Sequence, residues 1–407
     1  MSNFDITQIR ADFPNLDVQI NGKPIVYFDN GATTFKPKAV IDSLQEHYTK
    51  RTSNIHRGLH TLSEEATTEF ESSRETVRDF INAKNVEEII FTGGTTDSIN
   101  LVSQCFSKAF LKEGDEVLIS HMEHHSNIVP WQMVCEEKGC ILKVIPINQD
   151  GEIIQDEYET LLTDKVKLVS LVHISNSLGT INPIQQMIEK AHAKNIPILI
   201  DAAQSISHQT IDVQTLDCDF LAFSSHKLFG PTGVGVLYGK KDLLNQMPPY
   251  RGGGDMIERV SFEKTTYNTL PHKFEAGTPN IADVIALKQS IKYLKNIGMA
   301  EIHQHKDCLT EYGTKKLATI SSLKMIGTAS KKAPIFSFQI EDIHPQDLGT
   351  VLNQEGIAVR TGHHCTMPVM DFFKITGTTR ASLSLYNTIE EIDQFTEALN
   401  RSIKLLK

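Results

Sequence analysis

A short segment of the chain places reactive side chains directly after a run of apolar residues. Residues 219–231 read DFLAFSSHKLFGP, and the apolar positions 220–223 are typical of a buried strand. Ser224, His226 and Lys227 follow this run, and glycine and proline then break the chain. A single lysine in a loop is most often a solvent-exposed residue, so its neighbours must decide whether Lys227 has a chemical role.

Other apolar runs in the first half of the chain also end in polar residues. Ligands of open α/β sheets bind beyond the carboxyl ends of the strands, so we expect these polar residues to meet at one edge. The run IIF is followed by Thr95 and Thr96, VLIS by His121, His124 and His125, LVHIS by Asn176, and IPILI by Asp201 and Gln204.

Two of these strand ends have the composition of a ligand site. The sequence Gly93-Gly94-Thr95-Thr96 opens a predicted helix, where backbone N–H groups and hydroxyls bind a phosphate. A Gly-Gly pair before a helix is more often only a turn, and Asp201 fits a helix N-cap equally well. Neither feature identifies a ligand by itself.

Taken together, the strand ends match the requirements of pyridoxal 5'-phosphate (PLP). This cofactor needs a phosphate anchor, a carboxylate for the pyridinium nitrogen and an amine that forms a Schiff base. Asp201 supplies the carboxylate and Lys227 the amine, which also carries a proton during the reaction. Further contacts are expected from Ser224 and His226 at the phosphate, Gln204 at the phenolic oxygen and His124 over the ring.

The elements that must position these residues follow an α/β pattern. Short apolar runs alternate with helical patterns up to about Gly239, which predicts a mostly parallel sheet covered on both faces. From about Asp283 the chain reads as a long helix, then strands, then a final helix. We therefore predict an N-terminal segment (1–25) packed on the small domain, a large cofactor-binding domain (26–282) and a small α+β domain (283–407).

Bulk composition narrows the class of protein. The chain has 407 residues, 40% of them hydrophobic, and a net charge of -10, which does not suit a nucleic-acid-binding surface. The first residues have no apolar signal-peptide core, and no apolar run reaches the roughly 20 residues of a membrane span. Six scattered cysteines without a CxxC pair predict reduced thiols and a cytoplasmic location.

Two histidine-rich segments raise the possibility of a metal site. In HMEHH, a strand-to-helix turn would point His121, His124 and His125 in different directions, so we predict no metal there. The segment GHHC has no second half with ligand spacing. A plain buried cysteine is the usual alternative for Cys365, but Arg360, His363 and His364 predict an electropositive neighbourhood that favours its thiolate.

Long motifs along the whole chain carry a family resemblance. They include YFDNGATTFKP, NIHRGLHTLSEEAT, FTGGTTDSINL, MEHHSNIVPWQ, SNSLGTINPI, SSHKLFGPTGVGVLYG, KFEAGTPN, VRTGHHCTMPVM and TRASLSLYNT. The chain resembles the class V aminotransferase-fold, PLP-dependent cysteine desulfurases of group II, the SUF-system type. The short spacing of RTGHHC resembles group II, because group I enzymes carry this cysteine on a longer loop.

The resemblance implies a fold and a role for each matching position. It implies PLP-dependent transferase fold type I, with a large sheet of the seven-stranded type and a smaller α+β C-terminal domain. The implied cofactor residues are Lys227, Asp201, His124, Gln204, Thr95, Thr96, Ser224 and His226, with Thr278 donated by the other subunit of a homodimer. His124 is also the implied acid/base histidine of the reaction. The implied substrate residues are Asn176 and Arg380 at the carboxylate, with Arg360, His56 and Arg57, and Cys365 is the implied sulfur-accepting nucleophile.

The chain departs from the family pattern at three positions. Gly31 stands where alanine is expected, Ser225 where glycine is expected, and Arg251 where glutamate is more often expected. None of these changes removes a catalytic group. Arg251 reverses a charge near the predicted subunit boundary, which affects how far partner contacts can be transferred to this chain.

The function implied by the resemblance is conversion of L-cysteine to L-alanine with a persulfide on Cys365. A SUF-system acceptor protein would then take the sulfur for iron–sulfur cluster assembly, and L-selenocysteine is a possible second substrate. Selenocysteine lyase, or another PLP-dependent β-eliminating enzyme, is the alternative within the enzyme class. A non-catalytic sulfur carrier or scaffold is the alternative outside it, and the intact Lys227 and Asp201 argue against that interpretation.

Overall fold

The computed structural model describes residues 4–407, so the first three residues of the predicted segment 1–25 lie outside it. In chain order the strands are β1 Gln19–Ile20, β2 Lys23–Pro24, β3 Val26–Tyr27, β4 Ile89–Thr92, β5 Glu116–Ser120, β6 Ile141–Ile145, β7 Val166–Val172, β8 Ile198–Asp201, β9 Phe220–Ser224, β10 Gly235–Gly239, β11 Ile257–Val260, β12 Thr265–Tyr267, β13 Leu323–Ile326, β14 Ile335–Ile340, β15 Ile357–Ala358, β16 Arg360–Gly362 and β17 Thr378–Ser382.

The α-helices are α1 Ile6–Ala11, α2 Lys38–Glu46, α3 Thr61–Phe80, α4 Thr95–Phe110, α5 Val129–Lys138, α6 Gln155–Leu161, α7 Ile184–His192, α8 Val213–Leu216, α9 Lys241–Gln246, α10 Ile281–Ile297, α11 Met299–Leu317, α12 Pro345–Gln354, α13 Met367–Phe373 and α14 Ile389–Leu406. Among residues 4–407, none of these helices combines the length and apolarity needed to cross a membrane.

The predicted mostly parallel sheet is confirmed. Within the described residues it has seven strands in the order β4-β10-β9-β8-β7-β5-β6, and β5 to β9 run parallel to their neighbours within that group. Side chains alternate between its two faces, so Leu221 and Phe223 join one hydrophobic cluster and Phe220 and Ala222 join another. Because both faces are buried, the strands are continuously apolar in sequence.

One strand of this sheet runs in the opposite direction. β10 pairs antiparallel with both β9 and β4. Only residues 225–234 connect β9 to β10, which is too short for the crossover of a dozen or more residues that a parallel pair needs. β4 consequently runs in the same direction as β9, and the carboxyl ends of β4, β5, β7, β8 and β9 meet at one edge.

A second sheet lies in the C-terminal part of the chain. It is antiparallel, with the order β13-β14-β17-β16, and its core includes Phe336, Phe338 and Phe395. The helix predicted from about Asp283 is in fact two helices, α10 and α11. They are separated by Gly298, whose φ of 101° is a conformation that L side chains rarely adopt.

The N-terminal segment contacts both halves of the molecule. The Phe13 ring lies 6.0 Å from Phe229 in the large-sheet region and 4.7 Å from Tyr386 near the C-terminal sheet. Arg10 donates to the Tyr386 carbonyl at 2.6 Å and to Glu391 at 2.8 Å. The segment therefore helps to join the two regions, and the domain boundaries given above stay predictions.

Candidate active site

A cavity of about 220 Å³ opens at the carboxyl edge of the large sheet, where the C-terminal sheet faces it. Its walls bring together residues of β7, β8 and β9 and residues that follow β4 and β5 with residues from β16 and β17. The sequence-predicted residues that line it are Thr95, Thr96, His124, Asn176, Asp201, Gln204, Ser224, His226, Lys227, Arg360, Cys365 and Arg380.

Three sequence-predicted residues do not line the cavity of their own chain. Thr278 lines a neighbouring pocket. His56 Nε2 lies 2.9 Å from Glu71 Oε1, and Arg57 pairs with Asp255 at 2.9 Å. The roles of Thr278, His56 and Arg57 in cofactor or substrate binding thus stay predictions.

In the predicted cofactor site the carboxylate of Asp201 is buried and Lys227 is partly buried. Asp201 is the last residue of β8 and is 2% exposed, while Lys227 lies in the single 3-10 turn that follows β9. Burial raises the pKa of Asp201 and lowers the pKa of Lys227, and each charge partly offsets the effect on the other. Asp201 Oδ1 also accepts the Ala203 N–H at 2.9 Å, a contact within the turn, but the N-cap of the 3-10 helix that follows is Gln204, so Asp201 is not the helix N-cap that its position allowed.

The predicted phosphate anchor is a glycine turn held against β9. Gly94 has a φ of 148°, which favours glycine, and it precedes the first residue of α4. The Thr95 N–H donates to Ser224 Oγ at 2.8 Å, and the Thr95 hydroxyl lies 2.8 Å from the same atom. Burial, followed by the charge of Lys227, lowers the pKa of His226 to about 4, so His226 offers a neutral N–H group to an anion.

His124 is held in one tautomer by its neighbour. The Ser126 backbone N–H donates to His124 Nδ1 at 3.0 Å, which leaves the hydrogen of the neutral ring on Nε2. Burial, followed by the charge of Lys227, lowers the pKa of His124 to about 3. The imidazole is therefore neutral at physiological pH and presents Nε2 as a donor. Sequence reasoning missed Ser126, although it stands two residues after His124.

Arg380 and Asn176 carry polar atoms that lack partners within the described structure. Arg380 Nη1 donates to the Asn176 carbonyl at 3.0 Å, and Asn176 Nδ2 donates to the His364 carbonyl at 2.8 Å. Arg380 Nε and Asn176 Oδ1 are buried and make no hydrogen bond within residues 4–407. Buried polar groups are normally paired, and both residues line the cavity, so these atoms indicate a polar ligand.

Asp29 is a site residue that sequence reasoning missed. Its carboxylate lies 3.0 Å from Arg380 Nη2 and 3.6 Å from Arg360 Nη1, so it orients both predicted substrate-binding guanidinium groups. The available signal was an acidic residue after the short apolar run of β3, within the motif YFDNGATT.

Two departures from the family pattern have steric explanations. A Cβ added at Gly31 would lie 3.2 Å from Arg380 Cζ, so glycine leaves room for the guanidinium in this chain. A Cβ added at Gly230 would lie 2.2 Å from Ser225 Oγ, so the serine hydroxyl occupies space that Gly230 leaves open.

The turn that carries Lys227 is fastened by a second segment that sequence reasoning did not connect to it. The His226 carbonyl accepts the Thr34 N–H at 3.1 Å, the Thr33 hydroxyl at 3.2 Å and Lys36 Nζ at 3.0 Å. Burial lowers the pKa of Lys36 to about 8. These contacts fix the direction from which the Lys227 side chain enters the cavity.

The loop that carries Cys365 is strained and is attached to the turn that carries His124. Cys365 and His364 have φ angles of 58° and 50°, in the left-handed region that L residues rarely occupy. The Cys365 carbonyl accepts the His125 N–H at 2.8 Å, and the Cys365 N–H donates to His363 Nδ1 at 3.1 Å. Cys365 is partly exposed, which suits a nucleophile that receives and releases a group.

One part of the predicted environment of Cys365 is corrected. His364 was expected to add positive charge, but burial lowers its pKa to about 2, so its ring is neutral. His364 Nε2 lies 2.8 Å from Thr378 Oγ1. The positive charge beside the cavity comes instead from Arg360 and from Arg380, which lies too far along the chain to be linked to this loop by sequence alone.

The histidines of HMEHH have separate partners. His121 Nε2 lies 3.0 Å from the Pro368 carbonyl, and His125 Nε2 accepts the Met367 N–H at 3.1 Å. Within residues 4–407 there is no group of three His, Cys, Asp or Glu side chains arranged to hold a metal ion.

The donors and acceptors of the cavity fit PLP. The glycine turn at the start of α4 suits a phosphate, the buried Asp201 suits a protonated ring nitrogen, and Lys227 suits an aldehyde carbon. Gln204 Nε2 donates to the Gly31 carbonyl at 2.8 Å, so its amide is held at the wall of the same cavity.

Comparisons with known proteins agree with this geometry. Residues 26–395 match the family model described as Aminotransferase class-V. A cysteine desulfurase of Synechococcus elongatus is 48% identical over 398 residues, or 98% of this chain, but the chain spans only 64% of that relative's length. A probable cysteine desulfurase of Halalkalibacterium halodurans is 48% identical over 395 residues, with 97% of each chain covered.

A solved structure gives the same result for the fold. The apo structure of a cysteine desulfurase from Thermococcus onnurineus NA1 has a TM-score of 0.94 and 37% identity, and 98% of each chain is covered. The similarity in sequence and in fold extends over nearly the whole chain. The chain therefore belongs to the class-V aminotransferase family.

Proposed function

We propose that this protein is a PLP-dependent cysteine desulfurase that converts L-cysteine to L-alanine and holds the released sulfur as a persulfide on Cys365. The observation that carries the proposal is that Lys227, Asp201 and Cys365 line one cavity. A Schiff-base amine and a thiol nucleophile at one site allow carbon chemistry and sulfur transfer on the same substrate. The similar proteins named cysteine desulfurase support this assignment.

Different residues of the cavity bind the substrate and transfer protons. When bound, PLP supplies an electron sink for the substrate Cα. The buried Asp201 carboxylate stabilises positive charge on the ring nitrogen, and Arg380 binds the substrate carboxylate. Burial lowers the pKa of Lys227, which makes its neutral amine more available to accept the substrate Cα proton at Nζ.

Sulfur transfer then requires a nucleophile on sulfur. The Cys365 thiolate attacks the substrate sulfur, the S–S bond forms, and the substrate C–S bond breaks with its electron pair left on the organic fragment. Two protons complete L-alanine, and Cys365 holds the sulfur. We assign His124 to the substrate sulfur, where the Nε2–H of its neutral ring donates a hydrogen bond.

The test is to incubate the purified protein with L-cysteine and follow alanine and sulfur together. We expect alanine in solution and one added sulfur atom on the Cys365 peptide, located by mass spectrometry. Alanine release without sulfur on Cys365 would favour a direct β-elimination. Parallel assays for sulfide and selenide separate the selenocysteine lyase alternative, and a protein without a PLP absorbance band would instead fit a scaffold.

Replacing Asp201 with asparagine separates its two possible roles. Asparagine keeps an oxygen for the Ala203 N–H but loses the charge, so the contact within the turn remains. We expect PLP to stay bound through its phosphate and kcat to fall about a hundredfold or more, as for loss of one preorganised charged group. Absorbance measures cofactor content and alanine release measures kcat. A near-normal kcat would show that Asp201 serves only to hold this turn.

The homodimer belongs to this proposal. Thr278 lines a pocket next to the phosphate end but not the cavity of its own chain, which leaves it available to a neighbouring subunit. We expect light scattering to give twice the 45.5 kDa chain mass, and Thr278→Ala to weaken PLP retention several-fold. A monomer with full cofactor occupancy would contradict the shared site.

We also propose that a SUF-system protein accepts the sulfur for iron–sulfur cluster assembly in the cytoplasm. The partial exposure of Cys365 supports transfer to an external thiol. The cysteines are unpaired, which is consistent with a reducing compartment. L-selenocysteine belongs to the proposal as a second substrate.

A further inference from the structure

The charged pair formed by Asp97 and Arg251 lies at the phosphate end of the cavity and is not used by the chemistry described above. Asp97 stands in the first turn of α4. Its Oδ2 accepts the Gly93 N–H at 2.9 Å, and its Oδ1 accepts a hydrogen bond from Arg251 Nη2. The Arg251 guanidinium also lies over the Tyr250 ring, 4.8 Å from its centroid. Arg251 is thus held in place on two sides.

We propose that Arg251 is a positioning residue for the cofactor phosphate and acts by neutralising Asp97, an inference that rests on the proposed PLP-dependent function. The pair lies in a chamber next to the cofactor cavity, and the two spaces share part of their lining. Thr95, Thr96, Ser224 and His226 line both the cofactor cavity and an open chamber. Asp97 and Arg251 are the ionised side chains among the described residues that line this chamber.

The electrostatic reason is that Asp97 stands where a phosphate binds. The amino end of a helix attracts anions through its free N–H groups and its dipole. A carboxylate in the same turn interacts with the same N–H groups and helix dipole, and its negative charge repels a phosphate dianion. Arg251 cancels this negative charge, so the amino end of α4 remains available to the phosphate.

The bond to Gly93 adds a geometric component. Gly93 is the first residue of the glycine turn, and its N–H is taken by Asp97. Arg251 therefore fixes the carboxylate that shapes the turn. In the single chain Arg251 is 60% exposed, and an exposed ion pair contributes little because solvent screens its charge, so we expect a moderate effect on affinity.

The test is a double-mutant cycle on apoprotein reloaded with two ligands. The four proteins are the wild type, Arg251→Gln, Asp97→Asn and the double variant, and the ligands are PLP and pyridoxal, which lacks the phosphate. We expect Arg251→Gln to raise the Kd for PLP about fivefold and to leave the Kd for pyridoxal unchanged. Asp97→Asn should restore PLP affinity in the double variant to within about twofold of the wild type.

A matched control separates this effect from general loss of surface charge. Arg401 on α14 has a similar exposure of 57% and pairs with Glu355 at 2.9 Å, so Arg401→Gln should change neither Kd. Equal losses for PLP and pyridoxal would overturn the proposal, since the effect would then be structural. Failure of Asp97→Asn to restore affinity would overturn it as well, because Arg251 would then contact the phosphate directly. Wild-type protein that binds no PLP would refute the proposed function instead.

Discussion

Lys227→Ala is expected to lose turnover of L-cysteine, and borohydride should no longer attach the cofactor to the protein. The wild type, reduced in the same way, carries the label on the Lys227 peptide. The reason is that Lys227 supplies both the covalent bond to PLP and the base at the substrate Cα. We expect kcat to fall by about a thousandfold or more, since loss of a positioned base alone costs 10²–10⁴. Alanine release and peptide mapping measure the two effects.

The chain contains its own controls for this result. Lys306 is buried and Lys332 is partly buried, and burial lowers the pKa of each to about 7, so both amines are chemically competent. They lie outside the cavity and donate to backbone carbonyls. Lys306→Met should therefore keep the label on Lys227. Label on Lys306 or Lys332 in the wild type would show that a low pKa, rather than position in the cavity, selects the lysine.

The part of the site on the large sheet could be predicted from the sequence. Each of its residues directly follows an apolar run, and parallel strands bring such residues to one edge. Asp201, Ser224 and Lys227 needed no knowledge of distant contacts, because their place in the site follows from the ends of their own strands. The family motifs then attached roles to positions that the sheet already brings together.

The rest of the site depends on contacts between distant segments. Asp29 and Lys36 lie in a loop that pairs with β17 and the Lys227 turn, and nothing in their local sequence shows these partners. The neutral state of His364 depends on burial by the C-terminal sheet, which composition does not reveal. The short strands β11 and β12 were missed because their exposed residues lack the apolar pattern of a core strand.

The separation of the two chemical steps also follows from where the segments lie. Lys227 lies in the short turn that directly follows β9 of the large sheet, whereas Cys365 lies on a loop with two consecutive left-handed residues. A base at the substrate Cα must be held still, whereas a sulfur carrier must also meet an outside acceptor. Removing Cys365 should accordingly affect sulfur transfer and leave cofactor binding intact.

Cys365→Ala is expected to keep its PLP spectrum, form no persulfide and lose most activity on L-cysteine, about a hundredfold or more. The same variant should retain a sizeable fraction of its activity on L-selenocysteine. The difference lies in the leaving group. A thiol is weakly acidic and leaves carbon poorly, so cleavage of its C–S bond needs a nucleophile on sulfur. A selenol is more acidic and its carbon bond is weaker, so Lys227 and the cofactor suffice to release it.

The measurement is alanine release from both substrates, with cofactor content checked by absorbance in each protein. Cys308→Ala is the matched control, because Cys308 is an exposed thiol on α11 outside the cavity and should change neither rate. If Cys365→Ala processes L-cysteine at the wild-type rate, Cys365 is a structural thiol and the persulfide step is wrong. If Cys365→Ala loses activity on both substrates equally while keeping PLP, the role of Cys365 does not depend on the leaving group. That result would indicate substrate positioning rather than attack on sulfur.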